Sequence, residues 1–151
     1  MQYVSTSGSD GGCIFCDHLA VGDEVLYRGA TAFVLLNAFP YNTGHLMVAP
    51  QRHVGELGDL SDEERHELMD LSAEAVRIVR DAMSAHGFNV GMNVGEAAGA
   101  GIPGHLHMHV VPRWGGDTNF MTTVGETKVL PEMLADTAAK LKPLFDQLGR
   151  G

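Results

Sequence analysis

The sequence predicts an α+β fold, an antiparallel β-sheet with two main helices packed on one side. Three observations carry that expectation. His105, His107 and His109 alternate with Leu106, Met108 and Val110, the polar–apolar period of a half-buried strand. Ser61-Asp62-Glu63-Glu64 is a capping box in front of an apolar stripe at helical spacing. The resulting order, three strands, a helix, two strands and a helix, has too few crossovers for a parallel sheet.

Residues 1–12, rich in Ser and Gly, read as a flexible leader to a single domain over 13–151. A chain of 151 residues is long enough to bury a core without staples. Cys13-Ile14-Phe15-Cys16 opens the domain. A Cys-x-x-Cys pair can be a redox couple, half a zinc site, or neither. The redox reading wants a helix opening at the first cysteine, and no strong helix is expected there. Glu24–Arg28 and Thr31–Asn37 form a hairpin with Gly29 in its turn. Phe33, Leu35 and Asn37 share one face of its second strand, and Val34 and Leu36 share the other. Phe39 to Gly44 is a turn-rich link into a strand over His45–Ala49, closed by Pro50.

The capping box starts a helix whose buried stripe is Leu68, Leu71, Ala75, Val79, Ala82 and Met83, ending near His86 and Gly87. Glu63, Glu64, Arg65 and Glu67 read as its solvated face. Phe88, Val90, Met92 and Val94 alternate with polar or glycine positions, predicting a central strand that leads through Asn93 into a glycine-rich run (Gly95, Gly99, Gly101, Gly104). After the histidine strand, Pro112 to Asp117 breaks the pattern, and Thr118–Val124 is expected to fold over the site. Pro131 opens a last helix with Leu134, Ala138, Leu141 and Phe145 on one face and Pro143 disturbing its final turn.

Composition narrows the partners. The apolar share of 44% and charged share of 19% are globular values. A net charge of -9 argues against nucleic acid or an anionic membrane as a non-specific partner. An anionic ligand must then be met by local N–H groups, histidines and Arg113. Without a signal-like start or an apolar run long enough to span a bilayer, and with only two cysteines, the expected location is the cytoplasm.

The histidine row itself has three readings. Single buried histidines satisfied by neighbours are common, but three in a row strain that account. Histidines on one strand face can chelate zinc. A neutral imidazole can also attack phosphorus while a second serves the leaving oxygen. The glycine run favours the nucleophilic reading, because main chain can approach a phosphate closely there. For a zinc site built on the Cys pair, the further ligands could come from His18, His53, His66, His86 or the row.

Gly44-His45 after a strand, followed by His105-x-His107-x-His109-Val110-Val111-Pro112-Arg113, resembles the histidine triad (HIT) family of nucleotide hydrolases and transferases. The resemblance runs from Cys13 to the last helix. Pro-Arg and the Trp-Gly-Gly-Asp run look closest to the branch that handles dinucleoside polyphosphates. It implies a homodimeric nucleotidyl hydrolase with His107 as nucleophile, forming a nucleotidyl-histidine intermediate. His109 would contact the phosphate or leaving oxygen, and His45 would help hold the constellation. Ile14, Phe15 and Leu35 would wall a purine pocket, Asn37 would hold the ribose, and Asn93 would reach the phosphate or the catalytic histidine.

Members with a similar Cys-x-x-Cys imply a structural zinc on Cys13, Cys16, His53 and His105, with no organic cofactor. The alternatives within and beyond the class are a diadenosine tetraphosphate phosphorylase, a nucleoside phosphoramidase and a non-catalytic zinc-stapled nucleotide-binding module. Two departures matter. Many triad proteins carry Gly-Gln-Ser or Gly-Gln-Thr before the triplet, whereas Gly101-Ile102-Pro103-Gly104 leaves phosphate contact to backbone N–H groups. Glu126-Thr127 stands where the phosphorylase branch often has Gly-Ser, and a carboxylate facing the site would repel phosphate, which favours water as acceptor.

Overall fold

In the computed structural model the described residues are 12–22, 24–117 and 132–150. The leader up to residue 11, the 118–124 segment, Glu126-Thr127 and Pro131 lie outside them. Five strands form one antiparallel sheet: β1 (Val25–Arg28), β2 (Ala32–Leu36), β3 (Leu46–Pro50), β4 (Gly87–Gly91) and β5 (Met108–Arg113), in the order β1-β2-β3-β5-β4. β2 and β3 are unbroken apolar runs buried on both faces. Both faces are therefore covered.

One face carries Val34, Leu36, Leu46, Val48, Met108 and Val110, packed against α2 (Asp62–Met83) and α3 (Leu134–Asp146). Leu68, Leu71, Ala75 and Val79 bury the α2 stripe as its period requires, joined by Ile78. On α3, Leu141 and Phe145 are fully buried. Pro143, which lacks an N–H to continue the ladder, sits in its last turn, and a 3-10 turn over Gln147–Arg150 follows.

The other face carries Phe33, Leu35, Met47 and Ala49 under Cys13 and Phe15. Phe15 belongs to α1 (Ile14–Val21), a two-turn helix where none was expected. It has no side-chain cap at its start and closes on Gly22 in the left-handed region. Packing of Phe15 under the sheet, rather than helical signals in the sequence, holds it.

Four further expectations are corrected. The histidine strand enters the ladder only at Met108. Upstream, Leu106 N donates to Val54 O at 2.7 Å, so this stretch is tied to the loop after β3 rather than to a strand partner. β3 runs through Pro50, which pairs in register with Ala32. α2 ends on Ser84 in the left-handed region, and Gly87 instead opens β4. β4 is an edge strand among the described residues, with Val90 47% exposed, and not a central one.

The acidic residues of α2 do not form a uniform solvated face either. The capping box forms as the sequence predicts, with Glu64 N donating to Ser61 Oγ and Ser61 N to the Glu64 carboxylate. But Glu64 is buried and also accepts Arg52 Nη2 at 2.8 Å, and this hydrogen bond above all holds its carboxyl down at about 2. Glu67 reaches back to the β1–β2 turn and accepts from Ala30 N, Thr31 N and Ala32 N. Burial pushes its pKa up, yet the three main-chain donors outweigh it and the net shift is downward. A Cβ at Gly29 would lie 2.5 Å from Glu67 Oε1, so a larger residue there would push the carboxylate off its main-chain donors.

Candidate functional site

Met47 pairs in register with His109 across β3 and β5. The histidines therefore share the face of the sheet that α1 covers. His45 enters that face through Gly44, whose φ of +82° suits glycine and whose Cβ would lie 2.9 Å from Met83 Sδ. His45, His105 and His107 are buried, and His109 is half-buried.

Main-chain atoms set the protonation of these rings. Tyr41 N donates to His45 Nδ1 at 3.0 Å. The proton of a neutral His45 must then sit on Nε2, which lies 2.9 Å from His109 Nδ1. His109 accepts there, and its own proton sits on Nε2. His107 Nδ1 lies 2.9 Å from His105 O, a carbonyl that can only accept. That places the His107 proton on Nδ1 and leaves Nε2 with its lone pair. Burial pushes the His107 pKa down against the opposing pull of the His105 carbonyl. Burial, with His107 beside it, lowers His109 to about 4. Both rings are neutral at pH 7, with centroids 4.9 Å apart. An uncharged nucleophile and an adjacent N–H donor are the equipment of nucleophilic displacement at phosphorus.

Cys13, Cys16, His53 and His105 offer four donor atoms all within 4.8 Å of one another. Cys13 is the residue before α1 and Cys16 lies one turn on, so i, i+3 spacing brings both thiols to one side. His105 Nε2 lies 2.7 Å from Pro50 O, which fixes the ring proton there and turns the Nδ1 lone pair toward Cys13 Sγ at 3.3 Å and Cys16 Sγ at 3.6 Å. His53 Nδ1 lies 3.3 Å from His105 Nδ1 and 3.7 Å from Cys16 Sγ. Burial, and next Cys13, push the Cys16 thiol up to about 11. A soft divalent cation reverses that tendency, because it stabilises thiolate ligands directly. Two sulfurs and two imidazole nitrogens fit such an ion.

Residues 20–116 match the HIT domain. The chain belongs to the HIT family. It is 52% identical over 113 residues to a Mycobacterium tuberculosis (strain H37Rv) protein named AP-4-A phosphorylase, covering 75% of this chain and 58% of that protein. It is 32% identical over 100 residues to the Schizosaccharomyces pombe asymmetrical bis(5'-nucleosyl)-tetraphosphatase, covering 66% of this chain and 54% of that protein. The chain thus spans a little over half the length of these relatives. Among solved structures, a Zn-bound histidine triad family protein from Mycobacterium smegmatis superposes with a TM-score of 0.73 at 27% identity, covering 92% of this chain and 96% of that one.

In this HIT chain the remaining sequence-predicted residues fall into two groups. Phe15 lies against the histidines, with ring centroids 4.6 Å from His107 and 5.1 Å from His105. Leu35 is buried in the same cluster, and Ile14 and Ile102 are half-buried against it. Asn37 is also buried; its Oδ1 accepts from Phe39 N at 2.8 Å and its Nδ2 lies 3.4 Å from His45 Nε2. Gly101 is half-buried in the glycine loop. Asn93 stands apart, exposed near the Gly99 turn.

Arg113, expected to help meet an anion, makes a two-point ion pair with Asp117. Three contributors were missed by sequence reasoning. Tyr41 supplies both the N–H to His45 and a ring stacked on it at 5.2 Å and 16°. The His105 and Pro50 carbonyls act through backbone, which no residue type advertises.

Proposed function

We propose that this chain is a nucleotidyl hydrolase that cleaves dinucleoside polyphosphates through a nucleotidyl-histidine intermediate on His107. The observation that carries the reading is the 2.9 Å contact from His107 Nδ1 to the His105 carbonyl, which leaves Nε2 unprotonated at neutral pH. In the first step Nε2 attacks the α-phosphorus, an N–P bond forms, and the P–O bond to the departing polyphosphate breaks. The electron pair stays with the leaving oxygen, which takes a hydrogen bond from His109 Nε2. The ring of His107, still carrying its Nδ1 proton, is then cationic, and its charge faces the His105 carbonyl. In the second step water attacks the same phosphorus, a proton passes to solvent, and the N–P electron pair returns to a neutral imidazole.

Ile14 and Ile102, with Phe15 and Leu35 behind them, would wall the base. Asn37 would meet the ribose. Gly101, Ile102 and Asn93 would approach the phosphate chain, the first two through main-chain N–H. His45 orients His109. Cys13, Cys16, His53 and His105 would hold a zinc ion that ties α1 to the histidine run ahead of β5; a family neighbour of the same fold is Zn-bound. With four protein ligands such a zinc leaves no open position and takes no part in the chemistry. The protein would work as a cytoplasmic homodimer, a reading favoured by the exposed edge strand β4 and by a cysteine pair that faces two histidines rather than forming a disulfide.

One observation favours a second reading, phosphorolysis: the M. tuberculosis relative carries the name phosphorylase. Product analysis on diadenosine tetraphosphate separates the two. Hydrolysis yields AMP and ATP whether or not phosphate is added, and phosphorolysis yields ADP in place of AMP. His107→Ala should abolish either reaction while nucleotide binding persists; normal turnover in that variant refutes both.

A further inference from the structure

Beyond the imidazoles, one largely buried carboxylate joins the end of β5 to the loop that carries Tyr41. Asp117 has a side chain 12% exposed. Its Oδ2 accepts from Arg113 Nε at 2.7 Å, Asn42 Nδ2 at 2.9 Å and Trp114 N at 3.1 Å, and its Oδ1 accepts from Arg113 Nη2 at 3.0 Å. Arg113 Nη1 in turn donates to Asn89 Oδ1 on β4 at 2.8 Å. A carboxylate gripped by two guanidinium donors is a rigid acceptor. Asn42 gives its other amide hydrogen to Pro112 O at 3.2 Å. Both of its side-chain donors therefore hold the irregular loop before β3 onto the far end of β5.

That loop fixes His45. The carbonyl of Asn42 accepts from His45 N at 3.1 Å, and the preceding residue, Tyr41, donates to His45 Nδ1 and stacks on its ring. If the loop slid by an ångström, His45 Nδ1 would lose its main-chain donor, leaving Asn37 Nδ2, which at 3.5 Å from Nδ1 and 3.4 Å from Nε2 does not select between the two nitrogens. The ring could then carry its proton on either nitrogen, and His109 Nε2–H would no longer be the single populated form.

Building on the hydrolase reading, we propose that Asn42 and Asp117 are positioning residues. Through Tyr41 and His45 they keep the His109 Nε2 proton aimed at the leaving oxygen.

The test uses Asn42→Ala, Asp117→Asn and their combination, with Asn42→Ser in reserve should either single variant not fold. Substrates are aryl esters of AMP, from 4-nitrophenyl to phenyl. Help at the leaving oxygen matters most for the poorest leaving group. Turnover of the phenyl ester should therefore fall about 10- to 100-fold and that of the 4-nitrophenyl ester less than about threefold, with KM unchanged. The double variant should be no worse than the worse single, because both act through one contact. Ring nitrogen NMR should find His45 wholly Nε2-protonated in the native protein and mixed in the variants. An equal loss across the ester series, or an unchanged His45 tautomer, overturns the proposal. If the native protein turns over no ester at all, the hydrolase reading falls on its own, and the NMR comparison still decides whether the clamp sets the tautomer.

Discussion

Tyr41 N, the Pro50 carbonyl and the His105 carbonyl each face one ring nitrogen of a buried histidine, and in each case the opposite nitrogen is the one to which the proposed function gives a chemical task. Backbone atoms suit this purpose because they neither titrate nor change rotamer. Neutrality of the rings has a measurable consequence for stability. Folding lowers the pKa of His109 from its ordinary 6.5 to about 4, chiefly by burial and then through His107. Between these values the unfolded chain binds a proton that the folded chain does not. The contribution is therefore intact above about pH 6.5, is lost as pH falls toward about 4, and changes no further below that. Melting temperatures across this range should drop more steeply for the native protein than for His109→Gln. Parallel curves would mean that His109 is not held neutral.

At the scale of elements, much of the architecture is written in local pattern. The capping box at Ser61, the stripe from Leu68 to Val79 and the apolar runs of β2 and β3 all act on their immediate surroundings, so a linear reading finds them. α1 escapes that reading because Ile14–Val21 has neither a side-chain cap nor an apolar stripe, and Phe15 is its one buried residue. Glu67 escapes it because its partners are main-chain N–H groups 35 to 37 residues away in sequence.

Glu67→Ala should accordingly cost about 2 kcal/mol in urea unfolding, since it strands the part-buried N–H groups of Thr31 and Ala32. Glu63→Ala, at an exposed position of the same turn, should stay within about 0.5 kcal/mol. Equal effects would return Glu67 to the solvated face. Cys13→Ser should abolish stoichiometric zinc and lower the melting temperature by more than about 5 °C. It should spare nucleotidyl transfer to His107, because the carbonyl that sets that ring is not a metal ligand. Full zinc content in the variant would remove Cys13 from the ligand set.

For the molecule as a whole, position in the sheet depends on elements far apart in the chain. The alternation of Phe88 and Val90 marks a strand but says nothing about how many neighbours that strand has, which is why β4 reads as central and, among the described residues, lies at an edge. Likewise the Asp117–Asn42 contact spans 75 residues and joins two loops of ordinary turn composition. The candidate site was more legible than its supports, because three imidazoles at two-residue spacing are rare and their carbonyl and N–H partners are universal.

The edge bears on assembly. In sedimentation equilibrium the native protein should behave as a dimer of a 16.2 kDa chain, and Val90→Lys should shift it toward monomer. A monomeric native protein would remove the dimer from the account.

Everything turns on one nitrogen atom, His107 Nε2. Rapid quench of the protein with diadenosine tetraphosphate labelled at the α-phosphorus should trap label on the chain as an acid-labile, base-stable adduct, and peptide mapping should place it on His107 and lose it in His107→Ala. Product formation with no protein-bound label at any time, or label residing on His45 or His109 instead, would contradict the account.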